Sequence, residues 1–338
     1  MNVRKMKSAN RSLKVLSVEP GSEKTNNMIF AHRQNEALRK RGTICKSLAI
    51  AHAKSLSDFI DHFLLLRREL NEFQPLILHA QYGSYTAFLC SLFSRNRNFI
   101  VTFRGSDLNL QANISNTNIL RGIFGHLLSQ ISAVFAHRIV CVSEGLKKRI
   151  WFGKSKTKII PDGVDLNSFF PRSLNEARAH LGITENARVL LFNAGYNPKI
   201  KRQDLSDQVA QILEQRIDGF RYIVMKGDVS SDKVPLYIQA SDCLLVTSDS
   251  EGSPCIVKEA LACALPIVSV DVGDVVQMTK DVSLCWVVAR NVNQLADHVE
   301  HAIQLGERSN GREFSRRYDM ERCMDRLISC YNSLSLRS

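Results

Sequence analysis

No stretch of this chain approaches the roughly 18 consecutive apolar residues that cross a bilayer as a helix. Its N-terminus, Met1–Ser8, is basic and lacks the apolar centre and small-residue cleavage site of a secretory leader. Aromatic residues are only 7%, with two tryptophans, and they do not interleave with the basic residues. That excludes a stacking platform for single-stranded nucleic acid. No RNA-recognition, zinc-finger or helix-turn-helix pattern accompanies the charge either. The nine cysteines are scattered, with no C-x-x-C pair and no compact cluster. They read as free thiols of a reducing compartment, not as disulfides or zinc ligands. The histidines have no ligand spacing, and the close acid pairs Asp162/Asp165 and Asp271/Asp274 have linker and turn explanations. No metal is required. Internal repeats and low-complexity segments are also missing.

What is scarce in one half is acid. Residues 1–170 hold 25 Lys and Arg against 11 Asp and Glu, whereas residues 171–338 hold 20 against 22. The basic first half points to an acidic partner, either an anionic membrane surface or a pyrophosphate-linked acceptor, with a merely soluble basic surface as the alternative. Nucleic acid is disfavoured for the reasons above. At 338 residues, 44% hydrophobic and 23% charged, the chain has the length and composition of two globular domains.

Strands and helices alternate. Short apolar runs predict strands at Leu13–Val18, Thr43–Leu48, Leu76–His79, Phe99–Phe103 and Arg138–Ser143, with helices over Asn27–Arg39 and Ser55–Phe73. Pro161–Pro171 carries turn residues and two prolines and reads as a linker. A second alternation follows, with strands at Arg188–Asn193, Arg221–Met225, Asp242–Thr247, Pro266–Val270 and Cys285–Val288, and amphipathic helices over Asn293–Gln304 and Gly311–Ser333. The pattern predicts an α/β protein with parallel sheets covered on both faces, in two domains, 1–165 and 172–338.

The most informative stretch is Ser248–Ala262. It runs from a buried-type strand through a glycine turn into a helix, with carboxylates at Glu251 and Glu259. Ser253 then Pro254 reads as N-cap then first helical residue, with the helix running to about Ala264. A helix N-terminus suits a phosphate, and Gly252 lets a ligand approach the backbone. Glu259 lies roughly 7.5 Å along the axis from Pro254 at 1.5 Å per residue, a reach from a diphosphate to ribose hydroxyls. An ordinary capped helix with solvated acids fits the spacing equally well.

This stretch, from Glu251 through Gly252 and Pro254 to Glu259–Ala262, resembles the E-x7-E signature of retaining glycosyltransferases of family 4. The flanks extend the likeness. Val234–Asp242 is similar to that family's V-P-x-Y-x-x-A-D lead-in, and Leu265–Asp274 to its P-V-V-A-T-x-V-G. Pro161–Pro171 resembles its P-N-G-V-D linker, with Asp162 where Asn is usual. Asn193–Leu205 resembles its diphosphate loop, where a glycine precedes a lysine by six residues, as Gly195 precedes Lys201. The family often has Arg after that glycine, and here it is Tyr196; Arg202 or Lys199 could substitute. Val101–Asp107 resembles V-T-x-H-G-x-D, with Arg104 in place of the histidine. Arg104 offers a fixed charge for an acidic acceptor and cannot serve as a base. Asp107 either orients an acceptor hydroxyl or caps the next helix. Leu76–Gly83 is similar to another cleft segment, in which His79 reads better as a packed wall than as a base. Pro20–Gly21–Ser22 falls at the first glycine loop.

The resemblance implies the GT-B fold, two Rossmann-like domains facing across a cleft, with the last helix crossing back onto the first domain. It implies a retaining glycosyltransferase that moves a sugar from a nucleotide-diphosphate sugar to a saccharide or lipid-linked acceptor in envelope or exopolysaccharide synthesis. The expected site has Glu251, Lys201, Asp107 and Arg104 at the chemistry. Glu259, Gly252, Ser253, Pro254, Arg202, Gly195 and Gly21 would hold the donor, and no metal would be needed. A cytoplasmic enzyme, peripheral at the inner face of a membrane, is the matching location. The departures at Tyr196 and Arg104 keep two alternatives open: a GT-B nucleotide-sugar epimerase or hydrolase, and a non-catalytic GT-B partner subunit.

Overall fold

The computed structural model describes residues 13–21, 28–109 and 119–335. Among the described residues, eleven strands form two wholly parallel sheets. The first contains β1 (Lys14–Pro20), β2 (Ile44–Ile50), β3 (Ile77–Ala80), β4 (Asn98–Phe103), β5 (Arg138–Cys141) and β6 (Thr157–Ile159), in the order β2-β1-β3-β4-β5-β6. The second contains β7 (Arg188–Asn193), β8 (Phe220–Met225), β9 (Cys243–Val246), β10 (Ile267–Val270) and β11 (Cys285–Val288), in the order β11-β10-β9-β7-β8. Parallel strands need helical crossovers, which cover both faces. That is why the central strands are unbroken apolar runs: all four residues of β3, β9 and β10 are buried. Helix ends follow local chemistry as well. Leu56–Phe73 opens on Ser55, whose side chain accepts from the Asp58 amide while Asp58 accepts from the Ser55 amide.

The sequence expectations are met for ten strands to within two or three residues at each end. The edge strand β6 was not anticipated, because Thr157–Lys158–Ile159 carries too little apolar pattern to register. The amphipathic stretch expected over Gly311–Ser333 is not one helix. It divides into Gly311–Ser315, a 3-10 turn at Arg316–Tyr318 and a helix at Met320–Ser335. The break falls where the chain passes back between domains, and there Val164 exchanges backbone hydrogen bonds with the Tyr318–Met320 stretch, Val164 N to Tyr318 O at 2.8 Å and Met320 N to Val164 O at 2.9 Å.

The Met320–Ser335 helix packs on the first domain. Cys323, Met324, Leu327, Cys330, Tyr331 and Leu334 join Val15, Leu38, Ile77, Ile100 and Val140 in one buried cluster. Arg41 pairs with Glu321 and, at 2.7 Å, with Asp325. The second half of the chain therefore contributes its last helix to the first layer, as the crossing-back expectation has it. His79 is the polar pin of this junction. Its ring nitrogens pair with the Tyr331 hydroxyl and the Thr102 hydroxyl, each at 2.7 Å, and the residue is fully buried. It is the packed wall that the sequence favoured.

Burial, with Arg104 nearby, pushes the His79 ring down from 6.5 to about 3. The neutral ring is thus the folded form, so its contribution is full above the ordinary histidine value and is lost as pH falls below it. For His79 alone this amounts to about 2 kcal/mol of stability lost between pH 7 and pH 5. Denaturant titrations at the two pH values should show that loss shrinking in His79→Gln; an equal loss in both proteins contradicts the assignment.

Candidate active site

The loops at the carboxyl ends of β1, β3 and β4 face those after β7 and β9, the usual place for a ligand in open α/β sheets. The loop after β9 is fixed first to its own domain. Thr247 Oγ1 donates to the carbonyls of Lys201 and Arg202 at 2.8 and 3.0 Å, and the Asp249 amide donates to Ile200 O at 2.8 Å. It is then fixed across the cleft. Ser143 Oγ donates to Gly252 O at 2.8 Å, and Asn109 Nδ2 to Ser250 Oγ and Glu251 O, both at 3.1 Å. Gly252 lies against the backbone after β4. A β-carbon there would sit 1.8 Å from Arg104 O and 2.9 Å from the Gly105 α-carbon. Only glycine permits that approach.

The helix after this turn spans Cys255–Ala262, and its N-cap is Pro254, with no side-chain cap. This corrects the expectation that Ser253 caps and Pro254 is the first helical residue, and the helix stops two residues earlier than expected. The Ser253 hydroxyl is engaged elsewhere, with Asp274 Oδ2 at 3.1 Å. Burial pushes the Asp274 carboxyl up to about 6, and its Oδ1 has no hydrogen-bond partner.

Four charged residues of the sequence-derived site converge. Lys201 Nζ pairs with Glu251 Oε1, which also accepts from Ser248 Oγ at 2.8 Å. Glu259 is buried and takes Arg33 Nη1 at 2.9 Å, a contact from the first domain to the second. Arg104 is the most heavily engaged. Its guanidinium pairs with Asp162, donates to Gln81 O at 3.0 Å and Gln81 Oε1 at 2.7 Å, and reaches Gln34 Oε1 at 3.1 Å. Desolvation lowers it to about 10, so it stays charged at neutral pH.

These side chains line one cavity of about 330 Å³ that bridges the two domains, within the size range of ligand clefts. Arg33, Arg104 and Lys201 supply its cationic side chains, and Asp162, Glu251 and Glu259 its acidic ones. The backbone of Gly195, with φ of +52°, and of Gly252–Pro254 completes the wall. Tyr196 stands in it too, its ring filling the space where Gly227 would carry a side chain.

Three expected site residues stand apart from this cavity. Arg202 turns away: its guanidinium holds Asp204 at 2.9 Å and Asp249 at 3.4 Å on the exposed side. The Asp107 carboxylate is fully buried and consumed by backbone amides, those of Gly105 at 2.8 Å, Gly83 at 3.0 Å and Arg104 at 3.2 Å. It shapes the loop that carries Arg104; the amides it takes precede it in the chain, so it neither reaches the cavity nor caps the next helix. Gly21 closes β1 with its amide on Ile50 O at 3.0 Å, and Ser22 beyond it lies outside the described residues. Conversely, sequence reasoning missed Arg33. It sits on an ordinary amphipathic helix, Ile29–Lys40, with a partner 226 positions away. Asp162 stands out in the sequence as a departure within the linker and as half of a close acid pair, not as a site residue.

Comparison with known proteins fits this geometry. Residues 25–168 match the family model described as Glycosyltransferase Family 4, and residues 174–304 the model described as Glycosyl transferases group 1. A Bacillus subtilis protein described as a teichuronic acid biosynthesis glycosyltransferase, TuaC, is 25% identical over 60% of this chain and 54% of its own length. The chain thus spans about half of that relative. Sucrose-phosphate synthase from Thermosynechococcus elongatus has the same fold at a TM-score of 0.78, with 16% identity over 96% of this chain and all of that one. HepE of Anabaena, solved in complex with UDP-glucose, gives 0.70 with 14% identity over 95% and 99%. The two matched models follow one another across most of the sequence, on a fold of two facing parallel-sheet domains: the chain belongs to the family-4 glycosyltransferases of the GT-B fold.

Proposed function

We propose that the cleft-bridging cavity binds a nucleotide-diphosphate sugar and that the enzyme transfers the sugar with retention of configuration. The observation that carries this reading is the convergence of Glu251, Lys201, Glu259 and the Gly252–Pro254 backbone on one space. HepE's complex with UDP-glucose supports the donor class. Glu259 would accept from the ribose hydroxyls, releasing Arg33. Lys201 would exchange Glu251 for the diphosphate, which frees Glu251 to hold the donor sugar. Released Arg33, with Lys201 and the amides at the start of the Cys255–Ala262 helix, would neutralise the departing diphosphate. Such preorganised charge supplies most of the barrier reduction in this kind of chemistry. The acceptor hydroxyl would attack on the face that the diphosphate leaves, forming the new C–O bond as the bond to the diphosphate breaks and passing its proton to the departing diphosphate oxygen.

Arg104 cannot take a proton from that hydroxyl, because at about 10 it is already charged at neutral pH and its N–H groups are taken by four acceptor atoms on Asp162, Gln34 and Gln81. Its part is to fix the cleft wall and present positive charge to an acidic acceptor. Asp107 has a positioning role through the loop. Two cations come from the first domain and one from the second, so the complete site exists only with the domains closed. The acceptor reading is a saccharide or lipid-linked saccharide of envelope polysaccharide, met by the basic first domain at an anionic membrane surface; the likeness to TuaC supports that direction.

Glu259→Ala is expected to weaken nucleotide-sugar binding by roughly 1.5–3 kcal/mol, the scale of a hydrogen bond to a charged group. Calorimetric titration of the folded variant with UDP-glucose measures it, and an unchanged dissociation constant contradicts the ribose role.

For Lys201→Ala the loss should appear in turnover more than in affinity, because charge on the leaving diphosphate grows toward the transition state. Steady-state kinetics distinguishes the cases: a raised KM for donor with kcat intact makes Lys201 a ground-state contact only.

A further inference from the structure

The Ile119–Phe135 helix presents to solvent the kind of surface that a helix normally hides. Its inner side is buried on the first domain through Leu128, Ser129, Ser132 and Ala133. A helix packed in this way should carry polar groups outward. Here the exposed positions between 120 and 135 are Leu120, Arg121, Ile123, Phe124, Leu127, Ile131, Val134 and Phe135, seven apolar residues and one arginine. They recur every three to four residues, so they form one stripe along the helix. Leu120 is 83% exposed and Phe124 62%. A continuous apolar surface of this kind marks an interaction site.

The loop after the Glu144–Lys148 helix extends the stripe. Trp151 packs its ring against His126 at 5.3 Å between centroids, its amide is held by Gln130 Oε1 at 3.0 Å, and it remains 55% exposed. Phe152 beside it is 63% exposed. The same loop brings charge. Lys156 Nζ donates to Val134 O on the helix at 2.7 Å, and the Arg149 carbonyl accepts from Gln130 Nε2 at 3.0 Å. Residues 119–158 carry eight lysines and arginines against one acid, Glu144.

We propose that this stripe, with Trp151 and Phe152, is the face on which the protein docks to an anionic lipid bilayer. The apolar side chains enter the headgroup boundary, the tryptophan sits at the interfacial level, and the basic rim meets the anionic headgroups. Charge selects the bilayer over a second copy of this chain. A two-fold pairing through the stripe would bring the basic rims of both copies together without a counter-charge, whereas an anionic leaflet neutralises them. The proposal deepens the acceptor reading above, and rests on it only for the acceptor's being lipid-borne. It names the groups that would hold the enzyme where such an acceptor lies.

Co-sedimentation of the full chain with vesicles tests the face. Wild type should pellet with equimolar phosphatidylglycerol and phosphatidylcholine, pellet little with phosphatidylcholine alone, and be released as salt rises. Phe135→Ser/Phe152→Ser should weaken binding at least about tenfold. Lys147→Gln/Lys148→Gln/Lys154→Gln should remove most of the salt-sensitive part. Both variants must keep wild-type circular dichroism and UDP-glucose affinity, since none of these residues lines the donor cavity. The proposal is overturned by an absence of pelleting with anionic vesicles at low salt, by equal pelleting with neutral ones, or by an apolar variant that binds as wild type. It is also overturned if sedimentation velocity shows a dimer that Phe135→Ser/Phe152→Ser converts to monomer. Vesicle binding without UDP-glucose binding would leave the docking face standing and remove the donor reading instead.

Discussion

The cleft is arranged around a single constraint: charges taken out of water must be paired. Arg33 is matched with Glu259, Lys201 with Glu251, and Arg104 with Asp162. All three pairs join groups distant in sequence, and the Arg33–Glu259 pair joins the two domains directly. The protein thereby keeps a cavity lined by three cations and three acids balanced. A diphosphate entering this space brings negative charge that the acids cannot share. It must take cations from them, and the acids are then left to accept from hydroxyl groups. A nucleotide-diphosphate sugar carries both kinds of group.

The same constraint explains why the backbone comes so close at Gly252. Pairing across the cleft works only if the loops after β4 and β9 touch, and the missing side chain at Gly252 is what allows the Arg104 carbonyl to approach. Asp107 works from behind. By accepting three amides of the loops around it, it fixes the path of the chain that presents Arg104. The returning Met320–Ser335 helix, pinned through Tyr331 to His79, gives that wall its backing.

Much of this was legible in the sequence because the strands are continuous apolar runs and the punctuation between them is glycine, proline and asparagine. The resemblance around Glu251 and Glu259 located the cavity. What stayed hidden has physical reasons. Thr157–Ile159 is a three-residue edge strand, recognisable only by its pairing with β5. The Gly311–Ser333 pattern is amphipathic throughout, yet it is interrupted where Val164 takes the backbone hydrogen bonds at Tyr318 and Met320. Ser253 has the composition of an N-cap, but its hydroxyl has a stronger claim from a buried carboxylate. Arg202 lies one residue after Lys201 and differs from it only in the left-handed turn at that position, φ of +54°, which sends its side chain outward. Arg33 could not be found from one sequence, since nothing local distinguishes it from its exposed neighbours on the same helix.

The central claim is that donor binding exchanges the cross-domain pair Arg33–Glu259 for contacts to the ligand. Its most direct test is a double-mutant cycle on Arg33→Ala and Glu259→Ala, read as thermal stability with and without saturating nucleotide sugar. The account predicts a favourable coupling between the two residues in the free protein that disappears when donor is bound. A coupling of the same size in both states would mean that the pair is a permanent strut, and would contradict the exchange.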